Sequence, residues 1–199
     1  MKILVIGAKG TLGSAVVEEL KDIGEIIQAS RTHADIKVDI TSPESIQQMF
    51  EEVGEIDAIV CTAGAAHFGP VEKMTPELNR IAVESKLLGQ INLVLLGLPY
   101  IRDNGSITLI TGILMDDPIV NGASSAMANG GVRAFVSSAA IELPRGIRIN
   151  SVSPNVLEES LEKYGPSFEG FKAVPAKDAA LAFRKSVLGA QTGQSYTVY

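Results

Sequence analysis

The chain has 199 residues, which suits one domain with a substantial core and leaves little room for a second. Apolar residues make up 46% of the sequence and charged residues 20%, as in ordinary globular proteins. The net charge of −6, without any cluster of Lys and Arg, argues against nucleic acid as a partner. The single cysteine, Cys61, excludes an internal disulfide, and no Cys/His spacing suits a metal site, so we expect no metal.

The apolar stretches are too short for a membrane span or a secretory leader. The longest late run, Ile91 to Ile101, is far shorter than the ~20 residues that a span needs. At the start of the chain, the apolar run after Lys2 stops at Gly7, before a signal peptide would be complete. We therefore expect a cytoplasmic protein with no membrane partner.

The first twenty residues predict a strand, a glycine turn and a helix. The apolar run Lys2 to Ile6 leads into Gly7-Ala8-Lys9-Gly10-Thr11-Leu12-Gly13, and helical spacing follows. Such a turn leaves the first amides of the helix unpaired, where the helix dipole also favours an anion, so we expect a phosphate there. In this scheme Gly7 makes the turn, Gly10 lets the backbone approach a pyrophosphate, and Gly13 lets the helix pack closely. The alternative is a packing turn that binds no ligand.

The rest of the chain alternates strands with helices. We predict further strands at Glu25–Ser30, Ile36–Ile40, Ile56–Cys61, Ser106–Thr111, Ile147–Val152 and Ser195–Tyr199. Helices are predicted to begin at Thr41-Ser42-Pro43-Glu44, at Thr75 (to about Leu98), at Ala123 (to Leu143) and at Pro175 (to about Leu188). Only five residues separate the second strand from the third, so that crossover is predicted to be a loop without a helix. This rhythm predicts an α/β fold: a doubly wound parallel sheet in a three-layer α/β/α arrangement, with residues 1–199 in a single domain.

Several short motifs have a recognisable spacing along this predicted fold. They are the glycine turn Gly7 to Gly13, Asp39-Ile40 after the third strand, Thr62-Ala63-Gly64, Gly105-Ser106-Ile107, Pro144 to Asn150 and Ser153-Pro154-Asn155. With these motifs the chain resembles the short-chain dehydrogenase/reductase family over nearly its whole length. Two motifs depart from the family pattern, which has Asn-Ala-Gly at residues 62–64 and Pro-Gly at residues 154–155. The resemblance implies a Rossmann-like fold and a nicotinamide dinucleotide cofactor.

The resemblance also implies which residues bind that cofactor. They are Gly7, Lys9, Gly10, Thr11, Leu12, Gly13, Ser30, Arg31, Thr32, Asp39, Ile40, Thr62, Ala63, Gly64, Pro154 and Asn155. In the family, the residue after the second strand distinguishes the two coenzymes, because an acid there bonds the ribose 2′-hydroxyl and a base accommodates a 2′-phosphate. Here that position holds Ser30-Arg31-Thr32 without an acid, and a guanidinium matches a phosphate well. We therefore predict NADP(H), with Lys9 as a second cation; the alternative for both residues is a solvated surface charge.

The catalytic residues of the family are where this chain departs most. The family uses a tyrosine with a lysine four residues later, and none of the four tyrosines here has that lysine. Matching residue by residue places Thr111 at the family's serine, Ser125 at its tyrosine and Asn129 at its lysine. A serine hydroxyl is a far weaker acid than a phenol, so ordinary proton transfer at residue 125 is not expected.

Lys86 stands where the family has an asparagine of the proton relay. An ammonium entering the site from this helix could fill the space of the missing pair, and burial there would lower its pKa toward neutrality. The alternative is that Lys86 lies on the helix surface or pairs with an acid such as Glu84. His67, in the loop after the Thr-Ala-Gly turn, is a second candidate proton donor, or else a plain surface residue.

Two functions follow from these expectations. The first is an atypical NADP(H)-dependent oxidoreductase that transfers a hydride to or from a small carbonyl or alcohol substrate. Its polar cluster would be Thr111, Ser125, Asn129 and Lys86, in a shallow pocket flanked by the acids of Asp116-Asp117 and Glu158-Glu159. The second is a catalytically silent NADP(H)-binding sensor or scaffold. In either case the resemblance implies a homodimer or homotetramer.

Overall fold

The computed structural model describes residues 1–32 and 34–199 and shows one parallel seven-stranded sheet. The strand order is β3-β2-β1-β4-β5-β6-β7, and every neighbouring pair is parallel. The strands are β1 (Lys2–Ile6), β2 (Glu25–Ser30), β3 (Ile36–Lys37), β4 (Ile56–Cys61), β5 (Ile101–Ile110), β6 (Arg148–Pro154) and β7 (Ser195–Val198). The order reverses beside β1, which creates a crevice at the carboxyl ends of β1 and β4.

Helices cover both faces of the sheet. They are α1 (Thr11–Leu20), α2 (Pro43–Val53), α3 (Pro76–Tyr100), α4 (Ala123–Ala139), α5 (Leu161–Tyr164) and α6 (Ala176–Leu188). One apolar core lies between the sheet and α2, α3 and α4, and the other lies between the sheet, α1 and α6. The predicted three-layer, doubly wound α/β fold is therefore confirmed.

The three largest corrections of predicted boundaries concern β3, β5 and α4, and β6 also spans Arg148–Pro154 rather than Ile147–Val152. The third strand ends at Lys37 rather than Ile40, because the chain leaves the sheet to form the turn in which the Asp39 side chain accepts hydrogen bonds from Thr41. The fifth strand begins at Ile101, five residues early, and its pairing with β4 shifts register there. The helix predicted at Ala123–Leu143, which is α4, ends at Ala139, where turns take over. Between β2 and β3, the described residues contain no helix, as expected.

Local signals explain where the other elements begin. The Ser42 side chain accepts a hydrogen bond from the Ser45 amide at the start of α2, with Pro43 in the first turn, and Thr75 caps α3 in the same way. Helix α3 contains a π-helical segment, Ala82–Gly89, between its α-helical ends. Among the described helices, α3 alone has the length and composition of a membrane span, and it also covers the sheet through the buried Leu93 and Val94. The expectation of no membrane partner stays a prediction.

The join between β1 and α1 is the tightest contact of the fold. Gly7 has φ of +83°, a left-handed conformation that disfavours side chains. A Cβ on Gly13 would lie 2.0 Å from the Gly7 carbonyl oxygen, so only glycine lets the first turn of α1 sit on the end of β1. At Gly10, by contrast, the nearest atom to an added Cβ lies at 3.4 Å, and the backbone φ of −77° suits any residue.

This contrast predicts that Gly13→Ala destabilises the protein severely while Gly10→Ala does not. The added methyl at residue 13 collides with backbone that cannot move away, so we expect a loss of several kcal/mol or failure to fold, within the upper range for single substitutions. The methyl at residue 10 meets only ordinary contacts, and we expect a change below about 1 kcal/mol. Urea unfolding of the two variants measures the difference; equal stability would contradict this account of the turn.

Candidate active site

Two adjoining clefts open at the carboxyl edge of the sheet. The first cleft has a volume of about 330 Å³ and the second about 570 Å³. They share the residues Thr62, Gly64 and Ala65, so they form one continuous depression that passes over the end of β4. An extended ligand could therefore occupy both clefts at once.

The glycine turn forms one wall of the first cleft. Gly7, Lys9 and Gly10 line it, and no side chain caps the start of α1, because its capping residue is Gly10. The first amides of α1 are therefore available to an anion at the cleft, which fits a pyrophosphate. Lys9 reaches across the edge of the sheet, where its Nζ donates to Gln28 Oε1 at 2.8 Å.

Three residues assigned to this turn do not line either cleft. Leu12 is buried in the core, and Gly13 packs on Gly7. Thr11 is exposed as the first residue of α1. The side chains of Thr11 and Leu12 are therefore not in place to contact a ligand in the cleft, although the backbone amides of residues 11–13 belong to the uncapped helix end.

The opposite wall of the first cleft carries the residues predicted to select the coenzyme. Ser30, Arg31 and Thr32 line it together with Asp39 and Ile40. Hydrogen bonds from Thr41 hold the pKa of Asp39 below its usual value, with a smaller contribution from the charge of Arg31. Arg31 is exposed, so a charged ligand could reach its guanidinium without displacing packed side chains.

The second cleft brings together the four residues predicted to be catalytic. Lys86, Thr111, Ser125 and Asn129 all line it, and they come from α3, the end of β5 and α4. Pro154 and Asn155 line the same cleft at the end of β6. The sequence-based grouping of these residues therefore corresponds to a real spatial cluster; their roles remain predictions.

The hydrogen bonds of this cluster are unevenly satisfied. Thr111 Oγ1 donates to the Val152 carbonyl oxygen at 3.1 Å, so its lone pairs alone remain for a ligand. Asn129 Nδ2 donates to the Gly112 carbonyl oxygen at 3.4 Å, whereas its Oδ1 is buried and has no partner among the described residues. A carbonyl can only accept, so this bond fixes the nitrogen toward Gly112 and leaves the oxygen as an unused acceptor.

Lys86 is buried in the π-helical part of α3, with 9% of its surface exposed. Its pKa falls from 10.5 to about 8 because burial penalises the charged ammonium. Glu84 pairs with Arg80 instead, so the alternative of a surface lysine paired with Glu84 is wrong. A Cβ on Gly64, whose φ is +149°, would lie 3.0 Å from Lys86 Cγ, so this glycine makes room for the lysine stem.

Gln90 is a positioning residue that the sequence did not reveal. Its side chain is fully buried; Nε2 donates to the carbonyl oxygens of Lys86 and Ile110, and Oε1 accepts from the Ile110 amide at 2.8 Å. These three hydrogen bonds hold the backbone of Lys86 against the end of β5, next to Thr111. A polar residue amid an apolar helix is a signal for such a role, but only the structure identifies its partners.

The segment before α6 adds an unpredicted rim to the second cleft. Lys163 and Tyr164 line it from α5, Phe168 lines it from the segment between α5 and α6, and Phe68 lines it from the loop after β4. The rings of Phe68 and Tyr164 lie 6.2 Å apart, and Lys163 Nζ lies 4.9 Å from the centre of the Tyr164 ring. The cleft therefore has an apolar rim, and the described charged residues that line it are two lysines.

The acids and the histidine expected near the substrate lie elsewhere. Asp116 pairs with Arg133 at 2.6 Å, and the arginine holds the pKa of that carboxyl below its usual value. Glu159 accepts the Ala176 amide at the start of α6. His67 lines neither cleft; a Cβ on Gly69 would lie 2.6 Å from its Nε2, so the ring folds over that glycine. Asp116 and Glu159, which the sequence analysis expected to flank the substrate pocket, therefore do not line the second cleft.

The lowered pKa of Lys86 predicts how stability changes with pH. Between pH 8 and 10.5 the unfolded chain binds more protons at this residue than the folded chain, so the free energy of unfolding should rise with pH in that window. Relative to Lys86→Met, wild type should gain about 3 kcal/mol from neutral pH to pH 10.5. Denaturant titrations across this range measure it, with exposed Lys172→Met as a control that should show no trend. A flat difference for Lys86→Met would contradict the buried ammonium.

The chain is similar in sequence and in structure to known proteins. Residues 7–188 match the family model described as "Enoyl-(Acyl carrier protein) reductase". The crystal structure of the protein lin1944 from Listeria innocua is 62% identical, with a TM-score of 0.99 and full coverage of both chains. A small-chain dehydrogenase in complex with NADPH is 25% identical, with a TM-score of 0.89, over 100% of this chain and 96% of the other.

A curated relative, the uncharacterized oxidoreductase YusZ of Bacillus subtilis, is 29% identical over 175 residues. The match covers 82% of this chain but 60% of that relative's length. The family model nevertheless extends over most of the chain, and the motifs that resemble the family lie along the two clefts. The chain therefore belongs to the short-chain dehydrogenase/reductase family, a family of Rossmann-like oxidoreductases that use nicotinamide cofactors.

Proposed function

We propose that this chain binds NADP(H) and acts as an atypical short-chain dehydrogenase/reductase on a small carbonyl or alcohol substrate. The observation that carries the proposal is the continuity of the two clefts, with an uncapped helix end and Arg31 in the first and the Lys86 cluster in the second. NADP(H) carries its 2′-phosphate on the adenosine half and its reactive ring on the nicotinamide half, with the pyrophosphate between them, so it needs such an extended two-part site.

The first cleft fits the phosphorylated half of the coenzyme. The α1 amides would hold the pyrophosphate, and Gly10 offers no side chain that would obstruct it. At the other wall, Arg31 has the fork of donors that suits a 2′-phosphate, with the hydroxyls of Ser30 and Thr32 beside it. The NADPH complex of the related small-chain dehydrogenase supports this choice.

The second cleft would hold the nicotinamide and the substrate, and the bound coenzyme would supply the hydride. Pro154 and Asn155 line the cleft on the β6 side and Lys86 lines it on the α3 side. As an ammonium, Lys86 would donate a hydrogen bond, and finally its proton, to the substrate oxygen; a pKa of about 8 suits a general acid at neutral pH. Ser125 would add a hydroxyl donor and Gln90 would hold the lysine backbone in place.

The second candidate function is a silent NADP(H)-binding sensor or scaffold. The observation that favours it is the cluster itself, in which Ser125 and Asn129 occupy the places of the family's tyrosine and lysine. Serine provides neither the acidity nor the reach of a phenol. This candidate needs the first cleft alone, and the two candidates therefore differ only in what the second cleft does.

Assembly and location remain part of the proposal. Helix α3 leaves Ile81, Leu88 and Leu95 exposed on its outer side, at 42%, 44% and 55%. The family resemblance makes a second copy of this chain the occupant of this side, in a homodimer or homotetramer. A cytoplasmic location stays a prediction from the sequence.

Coenzyme selection is tested by substituting Arg31. We expect Arg31→Ala to raise the Kd for NADPH by roughly 10- to 100-fold, since hydrogen bonds to charged groups contribute about 1.5–3 kcal/mol. The Kd for NADH should hardly change, because NADH has no 2′-phosphate. Gly10→Ala should weaken both coenzymes, because its methyl would meet the shared pyrophosphate. Calorimetry with both coenzymes measures these constants; no uptake of either, or a preference of wild type for NADH, would overturn the proposal.

Catalysis by the second cleft is tested by substituting Lys86. We expect wild type to oxidise NADPH above background with at least one member of a panel of aldehydes, ketones and quinones. Lys86→Met should lower that kcat about 100-fold or more, as loss of a general acid does, with the Kd for NADPH unchanged.

NADPH binding without turnover across the panel in wild type would favour the silent candidate instead. An unchanged kcat in Lys86→Met would leave an oxidoreductase but remove the role of Lys86 as its general acid. The double variant Ser125→Tyr/Asn129→Lys then shows whether the cleft lacks only a proton relay, because it would gain activity if the coenzyme ring and substrate space are intact.

A further inference from the structure

We propose that Lys86 also captures small aldehydes and ketones covalently, as an iminium ion formed at its Nζ in the second cleft. The inference goes beyond hydride transfer, and it needs neither coenzyme nor the first cleft. It rests on a primary amine that lines a cleft of about 570 Å³ while its stem is buried in α3.

The surroundings of Lys86 leave its amine free to react. The ion pairs of the described residues do not include it, and its Nζ has no hydrogen-bond partner among them. The titratable group beside it is the thiol of Cys61 at the end of β4, and burial raises the pKa of that thiol to about 12, so it stays neutral. With no carboxylate to retain its proton, a desolvated lysine becomes a nucleophile near neutral pH.

The reaction balances without an added reagent. The lone pair of the neutral Nζ attacks the carbonyl carbon, the C=O π electrons move to oxygen, and a proton passes from nitrogen to that oxygen to give a carbinolamine. The C–O bond then breaks, the oxygen takes one further proton and leaves as water, and the nitrogen lone pair forms the C=N bond. Counted from the ammonium form, one lysine and one carbonyl give one iminium and one water, with no net proton gained or lost.

Residues of the same cleft can stabilise each step. The Ser125 hydroxyl, which makes no hydrogen bond to described residues, can carry the proton between nitrogen and oxygen. The iminium N–H needs an acceptor, and the buried Oδ1 of Asn129 is an acceptor that no described donor uses. An unpaired buried acceptor is costly, so an N–H in the cleft would relieve that cost. Gln90 fixes the backbone from which the lysine extends.

The experiment traps the iminium by reduction. The native protein without coenzyme is incubated with acetone and sodium borohydride at pH 8, and peptide mapping follows isopropyl addition at Lys86 and at the exposed Lys172. Near pH 8 about half of the Lys86 amines are neutral, against under about 1% for an ordinary lysine. We expect Lys86 to be labelled at least about ten times faster than Lys172.

Three comparisons decide the proposal. In urea the preference for Lys86 should vanish, because it depends on the fold. Asn129→Leu, which removes the acceptor, should slow labelling of Lys86 and leave Lys172 unchanged. Labelling of Lys86 no faster than Lys172 in the native protein, or an equal preference in urea, would overturn the proposal. Neither result bears on NADPH binding, which calorimetry measures separately.

Discussion

The close approach of α1 to the end of β1 is the constraint on which the site depends. Without a Cβ on Gly13, the first turn of the helix rests on the Gly7 carbonyl, and the helix end opens into the first cleft. The adjoining Thr62 ties the end of β4 to the same place, since its Oγ1 donates to the Ile6 carbonyl oxygen at 3.1 Å. The anion site and the floor between the clefts therefore come from one piece of backbone geometry.

The second cleft shows how a different residue can occupy a reactive position in a familiar fold. The family's phenol and lysine lie on one helix, whereas here the titratable group enters from α3, across the cleft from Ser125 and Asn129. The π-helical segment and the Gln90 bridge fix its backbone, and burial tunes its pKa to about 8. The pKa of Lys86 is therefore lowered mainly by the loss of hydration on burial and not by a neighbouring positive charge.

Much of the fold could be predicted from the sequence because it depends on local patterns. The boundaries of β2 and β4 match the prediction, and Ser42 caps α2 as expected, since short apolar runs and helix capping are decided within a few residues. The end of β3 could not be predicted because hydrogen bonds in the following turn decide it, and the start of β5 could not be predicted because a register shift against β4 decides it. The grouping of Lys86 with Thr111, Ser125 and Asn129 was predicted from the spacing of the family's motifs. His67 was also a candidate proton donor because of its position in the chain, but its ring folds over Gly69 and lines neither cleft.

The sequence by itself determined the parallel α/β architecture, the glycine turn and the absence of the Tyr/Lys pair, because each is a matter of residue type and spacing along the chain. The tertiary structure alone decided that Lys86 is buried, that Gln90 fixes it, that Asn129 keeps an unused acceptor and that Arg133 and the start of α6 occupy the nearby acids. Burial and the choice of hydrogen-bond partner depend on which side chains pack together and shield one another from water. Residues far apart in the chain meet only when the two layers of helices close on the sheet.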